Sequence, residues 1–257
     1  MGGPLKVEVA GETNVGMKRT HNEDNFSILE DSGLYIVADG MGGHASGEVA
    51  SKMAVDAMKE FFAATANDPE RTWPYKMDRS KGYEENRLIT GIKLANLRIY
   101  ESAQRESRQR GMGTTIVTIF AVEDGVYIAH VGDSRVYRLR DGKLEQLTED
   151  HSLLNDYIKM KRLTPEEIAN FPHKNVIVRA LGMKDTVKVD TRFEQPKPDD
   201  TYLLCSDGLS GPVSDADILE ITAGSPDLKS AAARLIERAN ANGGPDNITV
   251  VLARWVA

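Results

Sequence analysis

The sequence predicts a single domain of mixed α+β class, and three observations carry the prediction. Short apolar runs bounded by Asp/Gly turns read as strands. Two longer stretches space their apolar residues as amphipathic helices do. No composition break, low-complexity tract or internal repeat divides the 257 residues. Apolar residues make up 40% of the chain and charged residues 28%, which suits a soluble domain with a sizeable core.

Taken in order, Leu5–Val9 alternates apolar and polar residues and reads as a first strand, followed by a turn-rich loop over Gly11–Gly16. Phe26 and Ile28 resume a strand pattern, Asp31-Ser32-Gly33 is a turn, and Leu34–Ala38 is a buried strand, so the two strands form a hairpin. That hairpin brings Asp24 and Asp39 to one sheet edge. Val49–Phe62 reads as a helix with a core-facing stripe, Asn67–Tyr83 as a connecting loop, and Glu84–Arg110 as a second helix. The basic end of that helix, Arg105, Arg108 and Arg110, complements the helix dipole; no aromatics interleave as they would in a nucleic-acid patch.

Strands follow over Thr114–Val122, Val126–Val131 and Val136–Leu139, with turns at Glu123-Asp124-Gly125 and Arg140-Asp141-Gly142-Lys143. Residues 149–181 are irregular and polar, and read as a mobile subdomain inserted in the main fold. Within them Leu153–Arg162 is a helix, Thr164-Pro165-Glu166-Glu167 carries a helix-start signature, and Val176–Leu181 is extended or partly helical. Strands return at Val187–Phe193, Thr201–Cys205 and Ile248–Val256, with helices at Ser214–Thr222 and Leu228–Asn242.

The composition excludes several classes. A formal charge of −7 argues against a general nucleic-acid binder, and suits either carboxylates gathered around cations or simple solubility. The single cysteine, Cys205, cannot form an intramolecular disulfide and lies in an apolar run, as a core residue does. The five histidines show no close pairing in sequence with Cys or one another, which argues against zinc. The N-terminus has no apolar signal region, Lys6 breaks the myristoylation pattern, and no stretch is apolar enough to span a membrane. The expected location is cytoplasmic.

Acidic residues recur in one context. Asp39 ends an apolar strand and is followed by Gly40. Gly132-Asp133 and Asp207-Gly208 repeat the pairing of strand end, aspartate and glycine, and Asp246 stands at the entry to the last strand. Each alone reads as a turn residue. Asp24, Asp39, Asp207 and Asp246 together suggest convergence on one pole of a sheet. Oxygen donors without His or Cys favour Mg²⁺ or Mn²⁺. Two such ions suit phosphoryl hydrolysis without a covalent nucleophile.

At these residues the chain resembles a known family. Arg19…Asn22-Glu23-Asp24, Ala38-Asp39-Gly40-Met41-Gly42-Gly43, Gly113-Thr114-Thr115, Gly132-Asp133-Ser134-Arg135, Ser206-Asp207-Gly208 and Asp246-Asn247 resemble, in order, the motifs of the metal-dependent PP2C-type (PPM) serine/threonine phosphatases. Asp-Gly-Met-Gly-Gly resembles the bacterial branch. The resemblance covers Gly11 to Val251, and it is the ordered set of motifs that makes it specific.

It implies an α-β-β-α sandwich, two mainly antiparallel sheets flanked by helices, with a small flap subdomain at about 149–181. It implies that Asp39 bridges two Mn²⁺ or Mg²⁺ ions and that the Gly40 carbonyl joins one of them. Asp207 and Asp246 then hold the first ion, Glu23 and Asp24 serve the second, and Asp133 with Asp207 matches a third, weaker site. Arg19 matches the arginine that grips the substrate phosphate, a role its planar guanidinium suits. The implied reaction is hydrolysis of phosphoserine or phosphothreonine by a metal-bridging water. The implied partners are phosphorylated proteins, a serine/threonine kinase or its substrates. Nucleic acid and membrane are not expected partners, and a monomer is the default.

One departure concerns the proton for the leaving group. Eukaryotic members carry a histidine where Met41 stands, and methionine cannot donate a proton. His44 is the nearby candidate acid; a polar role at the helix start and a metal-bound water are the alternatives. Among other functions, a PP2C-like scaffold predicts missing ligands, yet every expected aspartate is present. A haloacid-dehalogenase-type site needs two aspartates flanking one residue, and fails because Val37, not an aspartate, precedes Ala38-Asp39. No Gly-Lys-Ser/Thr loop supports a nucleotide switch.

Overall fold

The computed structural model describes residues 5–42, 46–66, 73–161, 163–172 and 176–257. Its elements run in the order β1 (Lys6–Asn14), β2 (Asp24–Leu29), β3 (Leu34–Met41), α1 (Ser46–Thr65), α2 (Tyr83–Arg105), β4 (Gly113–Thr114), β5 (Ile116–Val122), β6 (Gly125–Val131), β7 (Arg135–Arg140) and β8 (Lys143–Gln146). They continue with α3 (Leu153–Lys161), α4 (Pro165–Ala169), β9 (Asp190–Glu194), β10 (Thr201–Cys205), α5 (Asp207–Ser210), α6 (Asp215–Ala223), α7 (Leu228–Ala241) and β11 (Ile248–Val256).

Two antiparallel sheets result, one ordered β1-β11-β10-β7-β8 and the other β2-β3-β5-β6-β9, with β4 paired to β3. Strand alternation distributes the apolar side chains among three layers. Leu34, Ile36 and Ala38 of β3 pack under α1 and α2, while Tyr35 and Val37 face the space between the sheets. On β11, Ile248, Val250 and Leu252 pack under α6 and α7, while Val251, Ala253 and Trp255 face inward. Both faces are therefore covered, which is why these strands read as unbroken apolar runs. The expected α-β-β-α sandwich is the observed one.

The structure departs from the expectations at several places, each with a cause. Gly11–Asn14 is strand, not loop: pairing with β11 runs the full length Lys6–Asn14, and Gly11 lets the strand pass against the Phe26 ring. The predicted strand from Thr114 is interrupted at Thr115, whose N–H bonds the Asp39 carbonyl and whose hydroxyl accepts from the Asp39 N–H. The second helix stops at Arg105, and Ser107–Gln109 forms a separate 3-10 turn. Arg108 and Arg110 therefore do not sit on its end; the Arg108 carbonyl instead accepts from the Ser46 hydroxyl. Lys143–Gln146 is an additional strand, returned by the tight turn Asp141-Gly142 at positive φ. The strand expected from Val187 begins at Asp190.

Between β8 and β9 the chain carries α3 and α4. Ser152 pairs with Ile177, and Leu153 N–H donates to the Val176 carbonyl, so the excursion leaves and returns at one place. Val176–Leu181 is extended, with no helix, and Leu181 pairs with Thr114. Thr164 caps α4 in a reciprocal capping box with Glu167, as its sequence indicates.

Candidate active site

At one rim the apolar layer between the sheets gives way to carboxylates. Asp24 and Asp39 are directly opposed in the β2–β3 register. Asp39 continues the phase of Tyr35 and Val37, so it faces the opposite sheet. From that sheet, Ser206 and Thr249 follow the inward phase of Leu204 and Val251. Both donate to Asp24 Oδ2, Ser206 Oγ at 2.8 Å and Thr249 Oγ1 at 2.7 Å. The Ser206 hydroxyl in turn accepts from Thr249 N–H at 3.0 Å. Because the Thr249 proton goes to Asp24, Thr13 donates the 2.7 Å bond that reaches Thr249.

Asp207 opens α5 at the end of β10 and shares a hydrogen bond with Asp39. Asp246 precedes β11; its Oδ1 accepts from Asn247 N–H at 2.8 Å and its Oδ2 from Arg19 Nη2 at 2.8 Å. Asn247 also ties the loops together, accepting from Glu23 N–H and donating to the carbonyls of Val15 and His21. The Glu23 carboxylate rests on the Gly47 N–H in the first turn of α1. Gly40 is required by close approach: a Cβ there would stand 2.1 Å from the Gly47 carbonyl oxygen and 2.5 Å from that of Glu23.

Electrostatics register the crowding. Burial, with Asp207 and Asp246 nearby, pushes the Asp24 carboxyl up to about 7 against the pull of its two hydroxyl donors. Burial raises Asp39 well above the carboxylate range, and Asp24, Asp207, Asp133 and Asp246 all add to the shift. Asp133 rises to about 7 through burial and Asp207. Asp207 rises through burial and Asp246, and Glu23 through burial, opposed by Arg19. Among the described residues, the buried oxygens Asp24 Oδ1 and Asp133 Oδ1 have no hydrogen-bond partner. Clustered, desolvated carboxylates with free oxygens are what hard divalent cations bind, so this donor set fits Mn²⁺ or Mg²⁺.

The structure thus brings Glu23, Asp24, Asp39, Asp133, Asp207, Asp246 and Arg19 to one pole. Asp133, Asp207, Asp246 and Arg19 line a groove of about 580 Å³, together with Asp150, Ser152 and Leu154. His44 lies outside the described residues. Residues that sequence reasoning left without a role now have one: Thr115, Ser206, Thr249 and Asn247 orient the carboxylates. Ser206 and Asn247 adjoin Asp207 and Asp246 in sequence, which was the available signal; Thr115 and Thr249 have no aspartate beside them.

The histidines also differ from expectation. His130 and His151, distant in sequence, stack with ring centroids 4.6 Å apart, and with Asp190 they form a cluster of the residue types that hold metals. Three of their four ring nitrogens are already committed, however. His130 Nε2 donates to the Glu149 carbonyl, His151 Nδ1 accepts from Gly132 N–H, and His151 Nε2 faces Asp190 Oδ2 at 3.0 Å. The Arg179 guanidinium supplies the positive charge, 3.1 Å from Asp190 Oδ1.

Comparison with known proteins agrees with this geometry. Residues 16–255 match the protein phosphatase 2C family. The serine/threonine phosphatase stp of Listeria innocua is 41% identical over 247 residues, covering 93% of this chain and 92% of that protein. PstP of Mycobacterium tuberculosis is 38% identical over 249 residues, covering 97% of this chain and 45% of that longer protein. The crystal structure of the M. tuberculosis phosphatase PstP/Ppp superposes with a TM-score of 0.85 at 37% identity, over 98% of this chain and 100% of that one. The catalytic domain of PstP in complex with two manganese ions superposes with a TM-score of 0.80 at 36% identity, over 98% of this chain and 100% of that one. Carboxylates gathered at one sandwich rim and relatives matched along almost the whole chain lead to one conclusion: the chain belongs to the protein phosphatase 2C family and is a metal-dependent serine/threonine protein phosphatase.

Proposed function

We propose that the 580 Å³ groove binds phosphoserine or phosphothreonine segments of proteins and hydrolyses the phosphate ester, with residue roles set by position on the rim. Asp39, Asp207 and Asp246 would hold one ion and Asp39 with Glu23 and Asp24 a second, the Gly40 carbonyl would join one of these two, and Asp133 with Asp207 would hold a weaker third. The ions, when bound, make water a nucleophile near neutral pH and neutralise charge on the phosphoryl oxygens. The chain's own contribution is orientation. Ser206 and Thr249 hold Asp24, Thr115 holds the Asp39 backbone, and Asn247 holds the Glu23 loop against Asp246. Arg19 stands exposed at the groove, where its guanidinium meets two phosphate oxygens. His44 is the proposed donor of the leaving-group proton, and its replacement by alanine slows alkyl phosphates more than aryl phosphates.

The observation that carries this reading is the convergence of Asp24, Asp39, Asp133 and Asp207, from two sheets, on one acidic cluster in which Asp24 Oδ1 and Asp133 Oδ1 are buried with no hydrogen-bond partner. Residues 149–181 act as a flap over the groove, supported by Ser152 and Leu154 in its wall. The substrates are a serine/threonine kinase or its targets, acted on in the cytoplasm by a monomer. The test is phosphate release from a phosphothreonine peptide after metal removal and return of Mn²⁺ or Mg²⁺, beside Asp39→Asn. Release that returns with metal only in the parent supports the reading. A folded parent that releases nothing with either ion overturns it.

A further inference from the structure

Of the buried groups that no step above uses, His151 makes the most telling set of bonds. It follows Asp150, whose carboxylate takes a bidentate grip from Arg135. Its N–H donates to the Gly132 carbonyl at 2.9 Å, and its ring Nδ1 accepts from the Gly132 N–H at 3.0 Å. One residue thus holds both peptide groups that flank the Gly132 Cα, the second of which leads to Asp133. Gly132 has little freedom to move away: its φ is +111°, and a Cβ there would lie 2.6 Å from the Thr115 side chain. Thr115 is the residue that bonds the Asp39 backbone and, through its hydroxyl, Ser134. The other side of His151 faces the inserted segment. Its carbonyl accepts from Val178 N–H at 2.9 Å, and Ser152 beside it pairs with Ile177.

The ring chemistry is fixed by its partners. Because Nδ1 accepts from an amide, the proton of the neutral ring sits on Nε2, where it donates to Asp190 Oδ2. Arg179 Nη1 stands 2.9 Å from Nε2, but both atoms carry protons, so Arg179 donates to Asp190 Oδ1 at 3.1 Å. Burial lowers the His151 pKa to about 4, so the ring stays neutral and the acceptor remains available at neutral pH. His130 stacks on one face and, bonded to the Glu149 carbonyl, keeps the ring in place.

We propose that His151 is a positioning residue that sets the Gly132–Asp133 backbone through its Nδ1 and thereby couples the 152–181 segment to the carboxylate cluster. The functional half of this statement rests on the groove being the phosphatase site. Coupling through Nδ1 separates cleanly from a bracing role through Nε2, because asparagine places an amide oxygen near the Nδ1 position and glutamine reaches the Nε2 position.

The experiment compares His151→Asn, His151→Gln and His151→Ala by steady-state turnover of a phosphothreonine peptide with saturating Mn²⁺, and by amide exchange at Gly132. Ring ¹⁵N shifts of the parent are measured at neutral pH. The expected parent ring is protonated at Nε2 and bare at Nδ1. The Asn variant keeps kcat within about threefold and keeps Gly132 protected, while Gln and Ala lose at least about tenfold in kcat and lose the protection, at unchanged KM. Rescue by Gln rather than Asn, parent-like kcat in Ala, or a proton on Nδ1 of the parent overturns the proposal. If Ala does not fold, the Asn–Gln contrast and the parent ring still decide it. A parent that turns over no phosphopeptide defeats the phosphatase assignment, and the Gly132 exchange pattern then tests the coupling by itself.

Discussion

Thr249 Oγ1 donates a 2.7 Å hydrogen bond to Asp24 Oδ2 across the layer between the two sheets. That bond favours the ionised carboxylate, the form that binds a cation, against the desolvation that favours the protonated one. Thr249→Val keeps the shape and removes the donor, leaving Ser206 as the remaining hydroxyl. The expected outcome is Mn²⁺ binding weakened severalfold at pH 7 in calorimetry, with a stability loss of about 1–3 kcal/mol. Unchanged Mn²⁺ affinity would remove Thr249 from the ligand-orienting set.

The acidic pole makes stability depend on pH with an unusual sign. Asp24 and Asp133 titrate near 7 in the fold, against an ordinary 3.8. Between those values the folded chain holds more protons than the unfolded chain, so stability falls as pH rises. With metal removed, Tm should drop between about pH 5 and about pH 7.5, and saturating Mn²⁺ should cancel the drop because cations compete with those protons. A scanning-calorimetry series in which the Asp24→Asn/Asp133→Asn double variant keeps the parent's slope would locate the effect elsewhere.

Arg19 and Asp246 form an ion pair with the arginine side chain 52% exposed, so it adds little to stability. Arg19→Ala should shift unfolding free energy by less than about 1 kcal/mol. Loss of a charged, forked phosphate contact should lower kcat/KM for a phosphopeptide by about 10–100-fold, and Arg19→Lys should recover only part. Equal kcat/KM in parent and Ala variant would show that Arg19 does not touch the phosphate.

Burial pushes the Cys205 thiol up to about 12, on a strand whose side chains are all buried. A thiol held protonated and covered should ignore an aromatic disulfide reagent in the native state and react with one equivalent in denaturant. Fast native-state reaction would mean that β10 opens readily.

Much of this was legible in sequence because local and tertiary demands agree. Leu34–Ala38 is apolar on both faces because the strand is sandwiched, and Asp39 is visible as the first residue where that ceases. What stayed hidden depends on distant partners. The strand character of Gly11–Asn14 comes from β11, more than 230 residues on, and no local propensity announces it. The break at Thr115 comes from the Asp39 backbone. His130 and His151 share no spacing that predicts a stack, because a hairpin and a loop must fold before the rings meet.

The pairing of β1 with β11 has a consequence for how the chain comes into being. Made from its N-terminus, the chain presents β1 before the other described strands, yet the only strand partner of β1 among them is β11, the last of them to emerge. Asp24 likewise waits for Thr249. One sheet therefore cannot close, nor the acidic pole assemble, until nearly all of these residues have been synthesised. Such long-range closure slows folding and leaves an open strand edge in the meantime. Nascent chains stalled before Ile248 should stay bound to chaperones and bind Mn²⁺ poorly, so that a working phosphatase appears only with a completed sandwich.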